Sequence, residues 1–231
     1  RSRRQRQMCI RDSSTGSKGN AVIINNCILI DCGVPFKSLE PYIRNLKIVL
    51  LTHIHSDHFC PSTIRKLAAE RPTLRFGCCK WLINNLVASG VPKWQIDVYS
   101  PNLKCIYKGF ELTAVPLNHN VPNCGYKITM NGEKLLYATD TNDLNGISAK
   151  NFDLYMLEAN YDDMEIQERI KEKEADRRYA YEKQVLHNHL SKAKCDDFII
   201  NNAGIKSQFV YLHGHIAVSY THLRAHETKA N

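Results

Sequence analysis

Apolar and polar positions alternate in short blocks through the first half of the chain. Ala21–Ile24 and Cys27–Ile30 are β-branched runs on either side of Asn25-Asn26, which predicts a hairpin. A short helical turn over Pro41–Leu46 leads into Lys47–Thr52, which reads as a buried strand. Pro61 then stands at a first helical position, and Ile64, Leu67 and Ala68 carry helical spacing as far as Glu70. Trp81–Ser89 reads as a second helix, stopped by Gly90 and Pro92. Strands are predicted at Leu103–Tyr107, Phe110–Pro116 and Gly125–Met130, and an Asn131-Gly132 turn joins the last of these to Lys134–Thr139. Phe152–Glu158 is a further strand. From Asp162 to Leu186 the chain turns to Glu, Lys and Arg, which predicts a solvated helix with i,i+4 pairs or, on the sharper reading, a nucleic-acid contact face. Ser191 caps a helix over Lys192–Asn202 that Gly204 ends, and Gln208–Leu212 is the last strand. Strand-rich halves each followed by helices give an α/β class, arranged as an α+β sandwich with helices outside.

The two ends do not belong to this pattern. Back-translation of Arg3–Ser13 and of Val218–Glu227 gives in-frame matches to the two adapters of a transposase-based sequencing library. Residues 14–217 are therefore expected to be one native domain, and residues 1–13 and 218–231 are set aside. Within the N-terminal segment, Met8–Asp12 stands where a native strand is expected and is a crude substitute for it. This changes the charge picture. The chain has 31 basic and 23 acidic residues, net +8, but Arg1, Arg3, Arg4, Arg6, Arg11, Arg224 and Lys229 against Asp12 and Glu227 lie in the ends, leaving +3. So mild a surplus does not choose a substrate. No apolar run approaches a membrane span, which needs roughly 18 residues. Eight cysteines remain with no CxxC pair, several inside apolar strand patterns, so reduced thiols and a cytoplasmic setting are expected over a disulfide framework or zinc ribbon.

The chemistry concentrates in Leu51–Phe59, LTHIHSDHF. His53, His55, Asp57 and His58 put four potential ligands within six residues, directly after an apolar strand. A loop at a strand end turns side chains at spacings of two, two and one toward one point, which a helix does not. Imidazole with carboxylate suits zinc, with manganese or iron as alternatives.

THIHSDH resembles the HxHxDH signature of the metallo-β-lactamase superfamily, and the resemblance covers nearly all of residues 14–213. STGSKGN (Ser14–Asn20), LIDCG (Leu29–Gly33), PLNHNVPNCGY (Pro116–Tyr126), YATDT (Tyr137–Thr141) and LEANYD (Leu157–Asp162) follow in the order found in its single-domain bacterial and phage members. The resemblance implies a metallo-β-lactamase-like αββα fold and two divalent metal ions. By it, His53, His55 and His119 hold the first ion, Asp57, His58 and His213 the second, and Asp140 bridges them. His189 occupies the place of a histidine that protonates the leaving group in related phosphodiesterases and ribonuclease Z-like enzymes. His187 and His215 compete with His189 and His213 for these roles, because His213-Gly214-His215-Ile216 departs from the family's usual Leu-Ser continuation. Asp31 is expected to support the metal loop by hydrogen bonding, with a plain turn residue as the alternative. Ser17, Gly19 and Asn20 are candidates for approaching a phosphate through backbone N–H groups. Cys78, Cys79 and Trp81 read as core.

Two such ions lower the pKa of a bridging water, supply hydroxide at neutral pH and stabilise charge on an attacked oxygen. Asp57 is expected to orient that hydroxide and His189 to protonate a departing alkoxide. The favoured reading is a phosphodiesterase or nuclease, with nucleic acid as the substrate class. A lactam, lactone or thioester hydrolase of the same fold is the runner-up, and a noncatalytic metal-stabilised binding module is the rival from another class.

Overall fold

In the computed structural model, residues 10–14, 19–213 and 221–222 are described. The chain divides into two units, Arg1–Pro116 with Asn120–Gly125, and Leu117–His119 with Tyr126–Asn231.

The first unit is built on a six-stranded sheet of order β1-β2-β3-β4-β5-β6. Its strands are β1 (Ile10–Ser14), β2 (Ala21–Ile24), β3 (Ile28–Ile30), β4 (Ile48–Leu50), β5 (Arg75–Cys79) and β6 (Ile96–Tyr99). The expected hairpin is present: β2 and β3 pair antiparallel with Ile24 opposite Ile28, and Asn25 and Asn26 take φ of 47° and 56°. Asparagine tolerates that left-handed region better than most residues. The backbone of Ile10–Ser14 pairs antiparallel with β2 at the edge of this sheet. From β3 onward the pairing is parallel, and α1 (Phe36–Leu39), α2 (Pro61–Glu70) and α3 (Ile83–Ala88) lie in the three crossovers. Pro61 does open α2, whose Ile64 and Leu67 bury completely against Ile23, Leu29, Val49 and Phe76 in one core. β7 (Lys104–Tyr107) and β8 (Phe110–Leu117) form an antiparallel hairpin in the same unit.

Two strands here escaped the sequence reading. β5 and β6 carry Arg75, Gly77 and Asp97 inside short runs, so neither shows a strand period. Parallel pairing, Phe76 opposite Ile96 and Cys79 opposite Tyr99, supplies what local propensity lacks. The helix expected over Trp81–Ser89 is a 3₁₀ turn at Lys80–Leu82 followed by α3.

The second unit places β9 (Asn123–Met130), β10 (Glu133–Ala138), β11 (Leu154–Glu158), β12 (Gln208–Leu212) and β13 (Thr221–His222) in the order β13-β12-β11-β10-β9. Asn131 and Gly132, both at positive φ, turn β9 into β10 as their dipeptide predicts. β10, β11 and β12 run parallel, so their carboxyl ends stand side by side. The charged stretch forms two helices, α4 (Asp163–Ala175) and α5 (Glu182–Asn188), with Ile166, Ile170 and Ala180 packed against Tyr161, Val185 and Leu186. Asp162 caps α4, accepting from the N–H groups of Met164 and Glu165, and Glu165 pairs with Arg169 one turn on at 3.3 Å. Ser191 caps α6 (Lys192–Asn202) by accepting from Lys194 N–H. Among the described residues no helix is long and apolar enough to cross a membrane, and the eight described cysteines are free thiols.

Candidate metal centre

In the first unit, β4 leads through Leu51 and Thr52 straight into His53, while Asp31 follows its parallel neighbour β3. Asp31 takes φ of 59°, which turns its carboxylate under the histidine loop, and its N–H donates to Leu50 O at 2.8 Å. That carboxylate is fully buried and accepts from Thr52 N–H (2.9 Å), from the Thr52 hydroxyl (2.9 Å) and from His58 Nδ1 (2.7 Å). The consequence is a fixed tautomer. With its Nδ1 proton given to Asp31, His58 presents Nε2 as a lone pair, and Asn20 Nδ2 donates to that atom at 2.8 Å. His53 is set the same way. Its Nδ1 lies 2.9 Å from Thr52 Oγ1, whose own proton goes to Asp31, so its lone pair sits on Nε2, which lies 3.1 Å from His55 Nδ1. Two imidazole nitrogens facing one point at that separation are a ready pair of donors for a cation.

The loop is held in place by its backbone. Asn20 N–H donates to Asp57 O at 2.6 Å, Cys32 N–H to His58 O at 2.8 Å, and Gly33 N–H to Asn20 O at 2.9 Å. Gly33 fits only as glycine, because a Cβ there would lie 1.7 Å from Asp57 O. Asn20, expected near a phosphate, takes part in this strapping: its N–H is taken by Asp57, and its side chain donates to Asp57 Oδ2 at 3.1 Å, while Gly19 at φ of 127° lies so close to Gly33 that a Cβ would stand 2.4 Å from its carbonyl oxygen. Asp57 itself is about one-quarter exposed, at 26%, with its Oδ2 3.5 Å from His58 Nε2. Ser17 and His215 lie outside the described residues.

The second unit gathers another set. Asp140 follows β10, Glu158 ends β11 and His213 follows β12, so three adjacent parallel strands deliver three donors to one edge. Asp140 and His213 both take positive φ, 53° and 58°, as their strands end. His189 caps the end of α5 and donates from Nδ1 to Glu158 Oε1 at 2.6 Å, with Asp140 Oδ1 at 3.3 Å. His213 Nδ1 lies 3.2 Å from the same Asp140 oxygen and 3.7 Å from Glu158 Oε1. One ligand atom from each of the four residues lies within 4.8 Å of every other. His119 stands beside them, its ring centroid 5.5 Å from that of His189, and its Nδ1 donates to Asn188 O at 3.0 Å, which leaves Nε2 as its lone pair. His187 is exposed and stays out of the cluster.

Charge follows from this packing. Burial opposes protonation of His189, but its hydrogen bonds to Asp140 and Glu158 outweigh that and raise the ring to about 10. His213 is raised to about 9 by the same contest. Burial pushes the Glu158 carboxyl up, and the bonds from His189 and His213 more than reverse it, holding the acid below its usual value. Imidazoles and carboxylates this close fit a divalent cation, which competes with the ring proton of His213 for the same lone pair.

A family profile described as a beta-lactamase superfamily domain matches residues 26–194. The chain belongs to the metallo-β-lactamase superfamily. Its fold agrees with those of solved members. The metallo-β-lactamase fold protein YhfI from Bacillus subtilis superposes with a TM-score of 0.69 at 18% identity, covering 91% of this chain and 88% of that one. The short form of human tRNase Z superposes with a TM-score of 0.61 at 15% identity, covering 89% and 92%. A comparison with curated protein sequences gives no match. As a superfamily member the chain carries the metal-dependent hydrolase fold, and its clustered histidines and acids are compatible with divalent metal.

Glu158 is the residue that the sequence reading left without a role. It is fully buried, accepts from His189, from Asn160 Nδ2 (3.3 Å) and from the N–H groups of Thr141 (2.9 Å) and Leu190 (3.4 Å), and so ties three loops together. The available signal was a carboxylate closing the apolar run LYMLE, where an exposed turn would be the ordinary alternative.

Proposed function

We propose that this protein is a metal-dependent phosphodiesterase whose substrate class is nucleic acid. The observation that carries the reading is the His189–Glu158 hydrogen bond of 2.6 Å beside Asp140. It holds a protonated imidazole at the strand edge that also presents Asp140 and His213. A phosphodiester expels an alkoxide that needs a proton, whereas a thioester expels a thiolate that does not. The similarity to a protein named as a tRNase supports the reading at the level of fold.

The proposed ligands are His53, His55 and His119 for one ion and Asp57, His58 and His213 for the second, with Asp140 shared; zinc is the proposed metal and manganese or iron its alternatives. Bound divalent ions would supply activated water and offset charge gathering on the phosphoryl oxygens. The remaining work belongs to the chain. Asp31 keeps Nε2 of His58 unprotonated, and Asp57 offers a partly exposed carboxylate to orient the attacking water. Glu158 grips the Nδ1 proton of His189, so the Nε2 proton is the one available to the leaving oxygen.

The test is an activity panel on zinc- and manganese-loaded protein, using bis-nitrophenyl phosphate, single- and double-stranded nucleic acids, nitrocefin and a thioester. Turnover of the phosphodiesters alone is the expected result. Preference for nitrocefin or the thioester would overturn the reading in favour of acyl hydrolysis, and no turnover by metal-loaded protein would leave a binding module.

A further inference from the structure

The first unit contains a cavity of about 370 Å³ at the opposite end of its sheet from the histidine loop. Its walls come from the segment entering β4, the segment entering β5 and the β7–β8 turn. Lys47 precedes β4 and His53 follows it, six residues apart, so up to roughly 20 Å of extended chain separates cavity from metal loop.

Four of the lining residues, Lys47, Arg71, Arg75 and Lys108, are cationic and none is acidic. Arg75 alone has an acidic partner, Asp97, whose carboxylate it meets through Nε and Nη2. Arg71 is anchored to backbone, its guanidinium donating to the carbonyls of Ile43 and Leu46. Those bonds fix the position of its charge without neutralising it. Lys47 and Lys108 are exposed, and among the described residues neither forms an ion pair. The rest of the wall is Leu46, Ile48, Thr73 and the rings of Tyr107 and Phe110. Tyr107 and Phe110 stack with ring centroids 4.7 Å apart and planes 8° from parallel. Tyr107 gives its hydroxyl proton to Asp97 at 2.9 Å, so the carboxylate beside this wall is engaged by Arg75 and Tyr107.

A bare inorganic anion has no use for the aromatic wall, and a neutral apolar molecule none for the cations. A flat ring system bearing a phosphate uses both: phosphate oxygens meet the lysines while the ring lies against the Tyr107 side of the Tyr107–Phe110 stack, since stacking on aromatic side chains accepts any base. The volume lies at the small end of ligand pockets, which run from about 300 to 1,000 Å³, the scale of one nucleotide unit. The geometry points to a nucleotide-binding site at the Lys47–Arg71–Lys108 cavity, separate from the metal loop. It stands whether the metal centre cuts phosphodiester or acyl bonds.

Titration calorimetry on the full chain tests it, with AMP, adenosine, inorganic phosphate and single-stranded hexaadenylate as probes. AMP is expected to bind more tightly than adenosine or phosphate, each of which satisfies half the wall, and to weaken as salt rises. Lys47→Glu with Lys108→Glu should weaken AMP by about tenfold or more, the loss expected when phosphate contacts are reversed in sign. Lys47→Arg with Lys108→Arg should restore binding, which separates lost charge from lost fold. His53→Ala with His55→Ala should leave AMP binding intact. Tighter binding of hexaadenylate than of AMP identifies a strand as the ligand's source, and the reverse identifies a free nucleotide. The proposal is overturned if neither AMP nor hexaadenylate binds, if the glutamate variant binds AMP as well as the parent, or if the His53/His55 variant loses it.

Discussion

Asp31→Asn isolates the mechanism by which the fold prepares its metal loop. The asparagine keeps the size of the side chain and one carbonyl oxygen, which still accepts from Thr52 N–H in place of the 2.9 Å bond. Its NH₂ group, however, now meets His58 Nδ1, 2.7 Å from the present carboxylate oxygen. Two donors cannot share that space, so His58 must move its proton to Nε2, the nitrogen offered to a metal. Bonds to a charged acceptor contribute about 1.5–3 kcal/mol against 0.5–1.5 for neutral ones, so stability should fall by about 1–2 kcal/mol and the protein should stay folded. Metal affinity should fall far more visibly, by about 10- to 100-fold, as when partners of metal-bound histidines are removed. Asp31→Ala is the harsher case. It leaves Thr52 N–H and His58 Nδ1 buried without an acceptor, at about 1–3 kcal/mol each, a large part of an ordinary domain's stability. Urea unfolding and competitive zinc titration on the same preparations separate the two quantities. Asp31→Asn binding zinc as tightly as the parent would refute the tautomer argument, whatever its stability.

Gly33→Ala places a Cβ 1.7 Å from Asp57 O, and backbone cannot yield as a side-chain tip can. A loss of about 3 kcal/mol or more is expected by denaturant unfolding, and a change within about 0.5 kcal/mol would show that the loop is not strapped as described. His189→Ala should keep bound metal by elemental analysis yet lose about 10²–10⁴ in turnover of an alkyl phosphodiester, with a much smaller loss for a nitrophenyl ester; equal losses on both esters would remove its role as proton donor. His189 and His213 both have raised pKa values, about 10 and about 9, so in the metal-free protein their stabilising protonation is complete below the ordinary value near 6.5. It is lost as pH rises through about 9 and 10, so the Tm of chelator-treated protein should fall by several degrees between pH 7 and pH 10.5 by calorimetry. A profile as steep in the His189→Gln/His213→Gln variant would assign the fall to other groups.

How much of this was legible before any coordinates depends on how local each cause is. The Asn25-Asn26 and Asn131-Gly132 turns, Pro61 at the start of α2 and the Ser191 cap act within four residues, and each stands where its sequence signal put it. The HxHxDH loop was equally readable, since its four candidate ligands, three histidines and an aspartate, and their spacing occupy one short segment after an apolar strand. β5 and β6 were not, because Arg75, Gly77 and Asp97 carry no strand period and only pairing with a neighbour makes them strands. Glu158 shows the same limit at the site. In sequence it is one acid at the end of a strand, 18 residues from Asp140 and 31 from His189. Parallel pairing of β10, β11 and β12 brings the ends together, and burial then makes an unpaired carboxylate too costly unless histidines and N–H groups surround it. The difference in setting between His189 and His187 is likewise tertiary: both lie at the end of α5, and the backbone turn after Asn188 directs one ring to Glu158 while the other is exposed. Residue type and spacing thus determined which chemistry the chain is equipped for, and the register of three parallel strands decided which buried acid holds the proton in place.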